Sequence, residues 1–289
     1  MEEVVSFHHV HKTYKNFLLR DVSFSVKKGF ITGFIGPNGA GKTTTIKLML
    51  DLVKPDSGEI NLFNQTYQSN REEIKQRVGV VFSEHHLYQH LTIEKMKKVV
   101  SNFYSKWDDD RFEHYLKQFN LRLDQKIGQL SKGMGMKLSI AIALSHHADL
   151  IVLDEPTSAL DPISRREILQ LLMDVIQDEE KAVFFSTHIT TDLEQIADYI
   201  LFLHNGTVLL HDEKDAILDQ HFIVRGATDL LDSDTRKLFL QVKETSFGFE
   251  ALTNQASLVR RLMGDEVVME KASLEEIMVY TIGDGSEIR

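Results

Sequence analysis

The chain has 289 residues, 42% of them hydrophobic, enough for one large α/β domain and a small appendage around a sizeable core. Acidic residues outnumber basic ones 43 to 33, and the net charge of −10 argues against a broad electrostatic grip on nucleic acid. There is no cysteine, which excludes disulfides, thiolate metal sites and cysteine nucleophiles and fits a reducing cytosol. Apolar stretches such as "LSIAIALS" and "LIVL" stop short of the roughly 18–20 residues needed to cross a bilayer. The start, "MEEVVSF", lacks the basic region and apolar block of a secretory signal, so the chain is not expected to enter a membrane by itself.

Residues 2–35 hold short apolar runs, "VVSFHHV", "FLLRDVSFSV" and "FITGFIG", which read as strands divided by a "KKG" turn. After "GPNGAGK", Ile46, Met49, Leu50 and Val53 of "TTTIKLMLDLV" recur at helical spacing, ended by "KPDSG". Residues 70–147 carry several amphipathic stretches, including "FEHYLKQFNL" and "MKLSIAIALS", and read as a mostly helical insertion. "ADLIVLDEP" and "KAVFFSTH" have the continuous apolar character of strands buried in a parallel sheet, with the amphipathic "SRREILQLLMDVIQ" between them. "YILFLHNGTVLLHD" reads as a hairpin around Asn205-Gly206. From about residue 215 the composition changes to an α/β mixture without a recognisable motif, placing a boundary between 1–214 and 215–289.

"GPNGAGKTT", Gly36 to Thr44, matches the phosphate-loop pattern G-x-x-x-x-G-K-[ST] between a predicted strand and a predicted helix. Its glycines let backbone N–H groups turn toward phosphates, so Asn38, Gly39, Ala40, Gly41, Lys42, Thr43 and Thr44 are candidate nucleotide contacts. Lys42 has the reach for the β and γ phosphates, and Thr43 offers a hydroxyl to Mg²⁺. "LIVLDEP" ends an apolar strand in two carboxylates, and in a parallel sheet that end opens into the ligand crevice. There Asp154 would hold the metal and Glu155 would polarise the attacking water. His188, at the end of "VFFSTH", reads alone as structural, but after the Asp-Glu strand it is suited to sense the γ-phosphate. Adjacent histidines on one element point in different directions, so the pairs His8-His9, His85-His86 and His146-His147 read as surface or packing residues.

Tyr14, "GPNGAGKTT", "LSKGM", "LIVLDEPTSALDP" and "STH" stand in the order, and at roughly the separations, of an ATP-binding cassette (ABC) ATPase, which the chain resembles over about residues 3–212. The resemblance implies an α/β phosphate-loop fold with a mixed sheet core, an antiparallel N-terminal sheet, a helical subdomain and a small C-terminal α/β extension. It implies ATP and Mg²⁺ as cofactors, Tyr14 stacked on adenine, and Ser158-Ala159-Leu160-Asp161 as the loop passing between two subunits. "LSKGM" resembles the family's signature, usually Leu-Ser-Gly-Gly-Gln, which caps a helix aimed at the γ-phosphate on the opposite subunit. Ser131 and Gly133 keep the hydroxyl and the backbone donors. Lys132 replaces a glycine, and Met134 removes an amide that contributes polar contacts, leaving a functional but altered signature of the type common among ABC-2 exporter ATPases.

A second departure falls after "RVGVVF", where the family usually has a glutamine touching Mg²⁺. Ser83 stands there with Glu84 beside it, leaving open a water bridge, substitution by Glu84, or weaker metal coupling. One phosphate loop and one signature imply a dimer, identical or with a related subunit, acting through a polytopic membrane permease on the cytoplasmic face of the cell membrane. The closing "EKASLEEIMVYT" resembles the ends of ABC-2 exporter ATPases, and the likeness extends to drug-, lipid- and peptide-export ATPases, including the phenol-soluble-modulin peptide exporter type. An amphipathic or hydrophobic substrate is therefore expected. Two alternatives remain at this level: a soluble ABC ATPase acting on ribosomes or nucleic acid, and a regulatory subunit that scarcely hydrolyses ATP.

Overall fold

The structure is a computed structural model that describes residues 2–83, 87–158 and 160–283. It comprises two compact units, Met1–His211 and Asp212–Arg289. The first runs β1 (Glu3–Tyr14), β2 (Phe17–Lys27), β3 (Ile31–Ile35), α1 (Lys42–Met49), β4 (Ser57–Leu62), α2 (Tyr67–Arg77) and β5 (Val78–Val81). It continues with α3 (Ile93–Ser101), α4 (Asp109–Gln118), α5 (Lys132–Leu144), β6 (Leu150–Asp154), α6 (Pro162–Val175), β7 (Ala182–Thr187), α7 (Thr190–Ile196), β8 (Tyr199–His204) and β9 (Thr207–Glu213).

Two sheets result. A three-stranded antiparallel sheet has the order β2-β1-β4, and a six-stranded sheet has the order β5-β6-β7-β3-β8-β9. In the larger one β5 through β8 pair in parallel. Every residue of β3, β6 and β7 is buried, as expected of strands covered on both faces. The two sheets share a core through an aromatic stack. Phe7 and Phe24 of the small sheet lie 4.4 Å apart, and Phe24 reaches Phe184 at 5.9 Å and Phe34 at 6.4 Å on the large one.

The structure corrects one sequence expectation, the end of the first helix, and adds a strand on which the sequence reading was silent. The first helix ends at Met49, one turn before Val53, because Asp51 takes a left-handed φ of 56°. "SGEINL", which carries no clear alternation of apolar residues, forms β4 by pairing along β1. Within residues 70–147, "RVGVVF" supplies the strand Val78–Val81 at the edge of the six-stranded sheet. His146 fixes that strand to the end of α5: its Nε2 lies 3.3 Å from the Val78 carbonyl, and its ring stacks on Tyr104 at 3.8 Å. Burial holds the His146 pKa below the usual value. His8 and His9 are exposed, and His85-His86 lies outside the described residues.

The second unit contains α8 (Lys214–Gln220), β10 (Phe222–Gly226), β11 (Gln241–Thr245), β12 (Gly248–Thr253), α9 (Ala256–Met263), β13 (Val267–Lys271) and α10 (Leu274–Ile282). Its four strands form an antiparallel sheet, β11-β12-β10-β13. Val224, Phe249, Val259, Met263 and Val267 make its core. A polar cluster joins three strands and a helix: Arg225 pairs with Glu250 and Glu270, and the Tyr280 hydroxyl donates to Glu250. Among the described residues no helix is long and apolar enough to cross a membrane.

The aromatic stack makes a stability prediction. Phe24→Ala should lower the unfolding free energy by about 3–5 kcal/mol, read as a lower denaturant midpoint, because the cavity would separate the two sheets.

Candidate active site

The site is built where neighbouring parallel strands end. After β3 the loop Gly36–Gly41 turns the chain into α1. Gly41, at the start of the helix, has a φ of 115°, and a Cβ there would come within 2.6 Å of Phe17 and 2.7 Å of Leu19. A residue without a side chain is therefore required. The turn leaves the first N–H groups of α1 without helical partners, and they carry the positive end of the helix dipole.

Lys42 is only 7% exposed, so its ammonium needs close partners. Its Nζ donates to the Gly36 carbonyl at 2.6 Å and lies 3.3 Å from Glu155 Oε1. The next residue, Thr43, donates its hydroxyl to Asp154 Oδ2 at 3.1 Å. Asp154, the last residue of β6, is buried and accepts a second hydrogen bond at 2.7 Å from the Ser186 hydroxyl on β7.

Glu155 leaves β6 with a φ of 52°, an uncommon angle for a residue other than glycine. Its backbone N–H donates to the Ser186 carbonyl at 3.0 Å and to the Ser186 hydroxyl at 3.1 Å, which holds the turn. The Glu155 carboxylate then lies between two groups, Lys42 on Oε1 and His188 Nδ1 at 2.7 Å from Oε2.

A pocket of about 840 Å³ opens over these residues, and Tyr14, Asn38, Gly39, Thr44, Ser83, Ser158 and His188 also line it. Tyr14 is 43% exposed, with the Lys12 ammonium 5.6 Å from its ring centre. Ala40 is buried behind the loop, where its carbonyl accepts from Gly206 N–H. Ser83 is exposed, and Glu84 lies outside the described residues. Asn16, Phe17, Lys47 and Val53 line the pocket as well, although no sequence motif singles them out.

The signature residues do not line this pocket. Ser131 caps α5, its hydroxyl accepting from the Met134 N–H at 3.2 Å, and Lys132 begins the helix with its side chain exposed. Gly133 packs beside the start of α6, where a Cβ would lie 3.4 Å from Ser164 Oγ. Asp161 caps α6, accepting from the Ile163 and Ser164 N–H groups at 3.0 Å each. The Ser164 N–H, first among those donors, holds the Asp161 carboxyl below its usual pKa. Behind this turn Asp192 is buried between the Thr157 hydroxyl at 2.7 Å and Arg165 Nε at 2.6 Å. Ala159 lies outside the described residues.

Sequence reasoning missed Ser186 and Asp192. The first was findable: β6 and β7 pair in parallel with Asp154 opposite Ser186, so the serine two residues before His188 had to face the carboxylate strand. Asp192 left no signal, because its partners come from two other segments.

Chemically, an ammonium beside free helix N–H groups suits an anion of phosphate type. The oxygen donors Thr43, Asp154 and Ser83 suit a hard divalent cation. A carboxylate between a cation and an imidazole can orient water.

The chain is similar to known proteins in both sequence and fold. The family model described as ABC transporter matches residues 19–158. The chain is 30% identical over 288 residues to the bacitracin transport ATP-binding protein BcrA of Bacillus licheniformis, covering 92% of each chain. It is 33% identical over 222 residues to the Nod factor export ATP-binding protein I of Burkholderia orbicola (strain AU 1054), covering 74% of this chain and 72% of that one. Among solved structures it superposes with a TM-score of 0.65 and 27% identity on the ATP-binding cassette MJ0796, a dimer in a post-hydrolysis state bound to ADP and Pi. That match covers 72% of this chain and 98% of that one. The chain belongs to the ABC transporter family. It is an ATP-binding subunit that hydrolyses ATP.

Ser186→Ala should cost about 1–3 kcal/mol of stability, because the buried Asp154 carboxylate would lose its 2.7 Å donor. Urea titration of the purified chain measures it, and an unchanged midpoint would remove Ser186 from this role.

Proposed function

We propose that this chain powers an exporter: it binds ATP with Mg²⁺, dimerises around two ATP with an identical or related subunit, and drives a separate polytopic membrane subunit from the cytoplasmic face of the cell membrane. The observation that supports it best is the convergence of Lys42, Thr43, Asp154, Glu155 and His188 where β3, β6 and β7 end. Support for export comes from the relatives named for bacitracin transport and Nod factor export. The substrate class we infer is an amphipathic peptide, lipid or drug.

In this reading the phosphates of ATP take the place that the Glu155 carboxylate holds beside Lys42. Glu155 is then released to orient the attacking water, and His188, already within hydrogen-bond distance of it, senses the γ-phosphate. Mg²⁺, when bound, supplies positive charge against the phosphates, and its holders are Thr43 and Asp154 with Ser83. Backbone N–H groups of the loop from Asn38 to Thr44 cradle the phosphates, and Tyr14 stacks on the adenine. A second subunit contributes Ser131, Lys132, Gly133 and Met134 at the start of its α5, while Asp161 stands at the junction. Closure with ATP and opening after hydrolysis form a two-state cycle that the membrane subunit follows. The second unit, from about residue 215, is an accessory domain for dimer contact or regulation.

Glu155→Gln tests the chemistry. ATP binding should persist while phosphate release slows by about a hundredfold or more, as loss of a water-orienting carboxylate implies. Near-normal turnover would remove Glu155 from the reaction. The exporter reading is tested by capturing the tagged Glu155→Gln chain with Mg²⁺ and ATP from gently solubilised membranes. Mass spectrometry should find a polytopic membrane protein at comparable abundance, whereas ribosomal or DNA-bound proteins without one would refute export.

A further inference from the structure

The chain contains two Asn-Gly pairs, Asn38-Gly39 and Asn205-Gly206, and the fold treats them in opposite ways. In the hairpin between β8 and β9, Gly206 is buried, and its N–H donates to the Ala40 carbonyl at 3.0 Å. A Cβ on Gly206 would stand 1.8 Å from the Leu18 carbonyl, so this peptide is packed against its neighbours. In the phosphate loop both Asn38 and Gly39 are exposed. Apart from its own chain neighbours, no described atom lies within 4 Å of where a Gly39 Cβ would be, and among the described residues its N–H has no backbone partner.

An asparagine amide followed by an unencumbered glycine N–H is set up for one reaction. The Gly39 backbone nitrogen, on losing its proton to solvent, attacks Cγ of Asn38. The new N–Cγ bond closes a five-membered imide, and the Cγ–Nδ2 bond breaks as ammonia leaves with the proton. Solvent water then opens the imide at either carbonyl, giving aspartate or isoaspartate at position 38. The start of α1 and the Lys42 ammonium lie next in the chain, and their positive field favours the deprotonated nucleophile.

We propose that Asn38 is a self-deamidation site, and that nucleotide gates it. A loop whose N–H groups are bonded to phosphate has no free Gly39 nitrogen to attack with, so the reaction belongs to the nucleotide-free state. Either product places a carboxylate in a cradle for anions, and the isoaspartate product also lengthens the backbone of the loop. The consequence is a chain that loses nucleotide affinity as it stands empty. The deamidation itself follows from the two glycine environments, whereas the gating rests on the reading of this loop as a phosphate cradle.

The test is to hold the full chain at mildly alkaline pH, with and without Mg²⁺ and ATP, using the slow Glu155→Gln form to keep nucleotide intact. Peptide mapping by mass spectrometry follows conversion at positions 38 and 205. Conversion at 38 should outpace that at 205 by about tenfold or more, equal to about 1.4 kcal/mol in barrier. Mg²⁺ with ATP should suppress it at 38 alone. Equal rates at the two positions, or faster conversion at 205, would overturn the site. Fluorescence titration of ATP on the same sample separates the remaining outcomes. Conversion at 38 that ignores bound ATP overturns the gating, while failure of ATP to bind at all sinks the nucleotide-site reading and not the chemistry at Asn38.

Discussion

The ion pair between Lys42 and Glu155 depends on one topological fact, that β3 and β6 run parallel and flank β7. Parallel strands deliver their following residues to the same edge of the sheet, so Thr43 and Asp154, 111 positions apart, become neighbours without any long connection crossing the core. Lys42 follows β3, Glu155 follows β6, and His188 follows β7. The middle strand contributes Ser186, which bonds both the carboxylate of Asp154 and the backbone of Glu155. The geometry of the charged groups is thus set by strand register, and the register is held by β3, β6 and β7, which are buried throughout.

Burial gives this arrangement its tension. A lysine that is only 7% exposed cannot stand without an anion or several acceptors, and here it has the Gly36 carbonyl and the Glu155 carboxylate. Glu155 in turn is drawn into a left-handed turn that glycine would adopt more readily. On its other oxygen Glu155 keeps His188 Nδ1 as a second partner at 2.7 Å, so the carboxylate does not depend on the lysine alone.

Most of this was legible in the sequence because phosphate-loop chemistry restricts residue type tightly. Small residues at fixed positions, one lysine, one hydroxyl and a strand ending in acids leave few other readings. The elements that escaped have weaker local codes. β4 owes its strand to pairing with β1, and its residues "SGEINL" carry no period of their own. Helix α1 stopped early because Asp51 turns left-handed and pairs with Lys54 and Arg71, a tertiary preference that spacing of Ile46, Met49 and Val53 does not reveal. The second unit hides its sheet for a related reason. Its strands alternate imperfectly, and Arg225, Glu250 and Glu270 place charges where a simple pattern expects one polar face.

The altered signature shows which parts of a helix start are sensitive to side chains. Ser131 supplies the cap, and its acceptor bonds the backbone of Met134, so the side chain at 134 is free to change without loss of that bond. Lys132 is not among the left-handed residues of the chain, so a side chain there carries no backbone strain. Gly133 differs from both. It faces the first turn of α6 at ordinary contact distance, where a larger side chain would press on Ser164 and Leu160, and that turn is the one Asp161 caps. The small residue at 133 thus lets the starts of α5 and α6 approach each other closely.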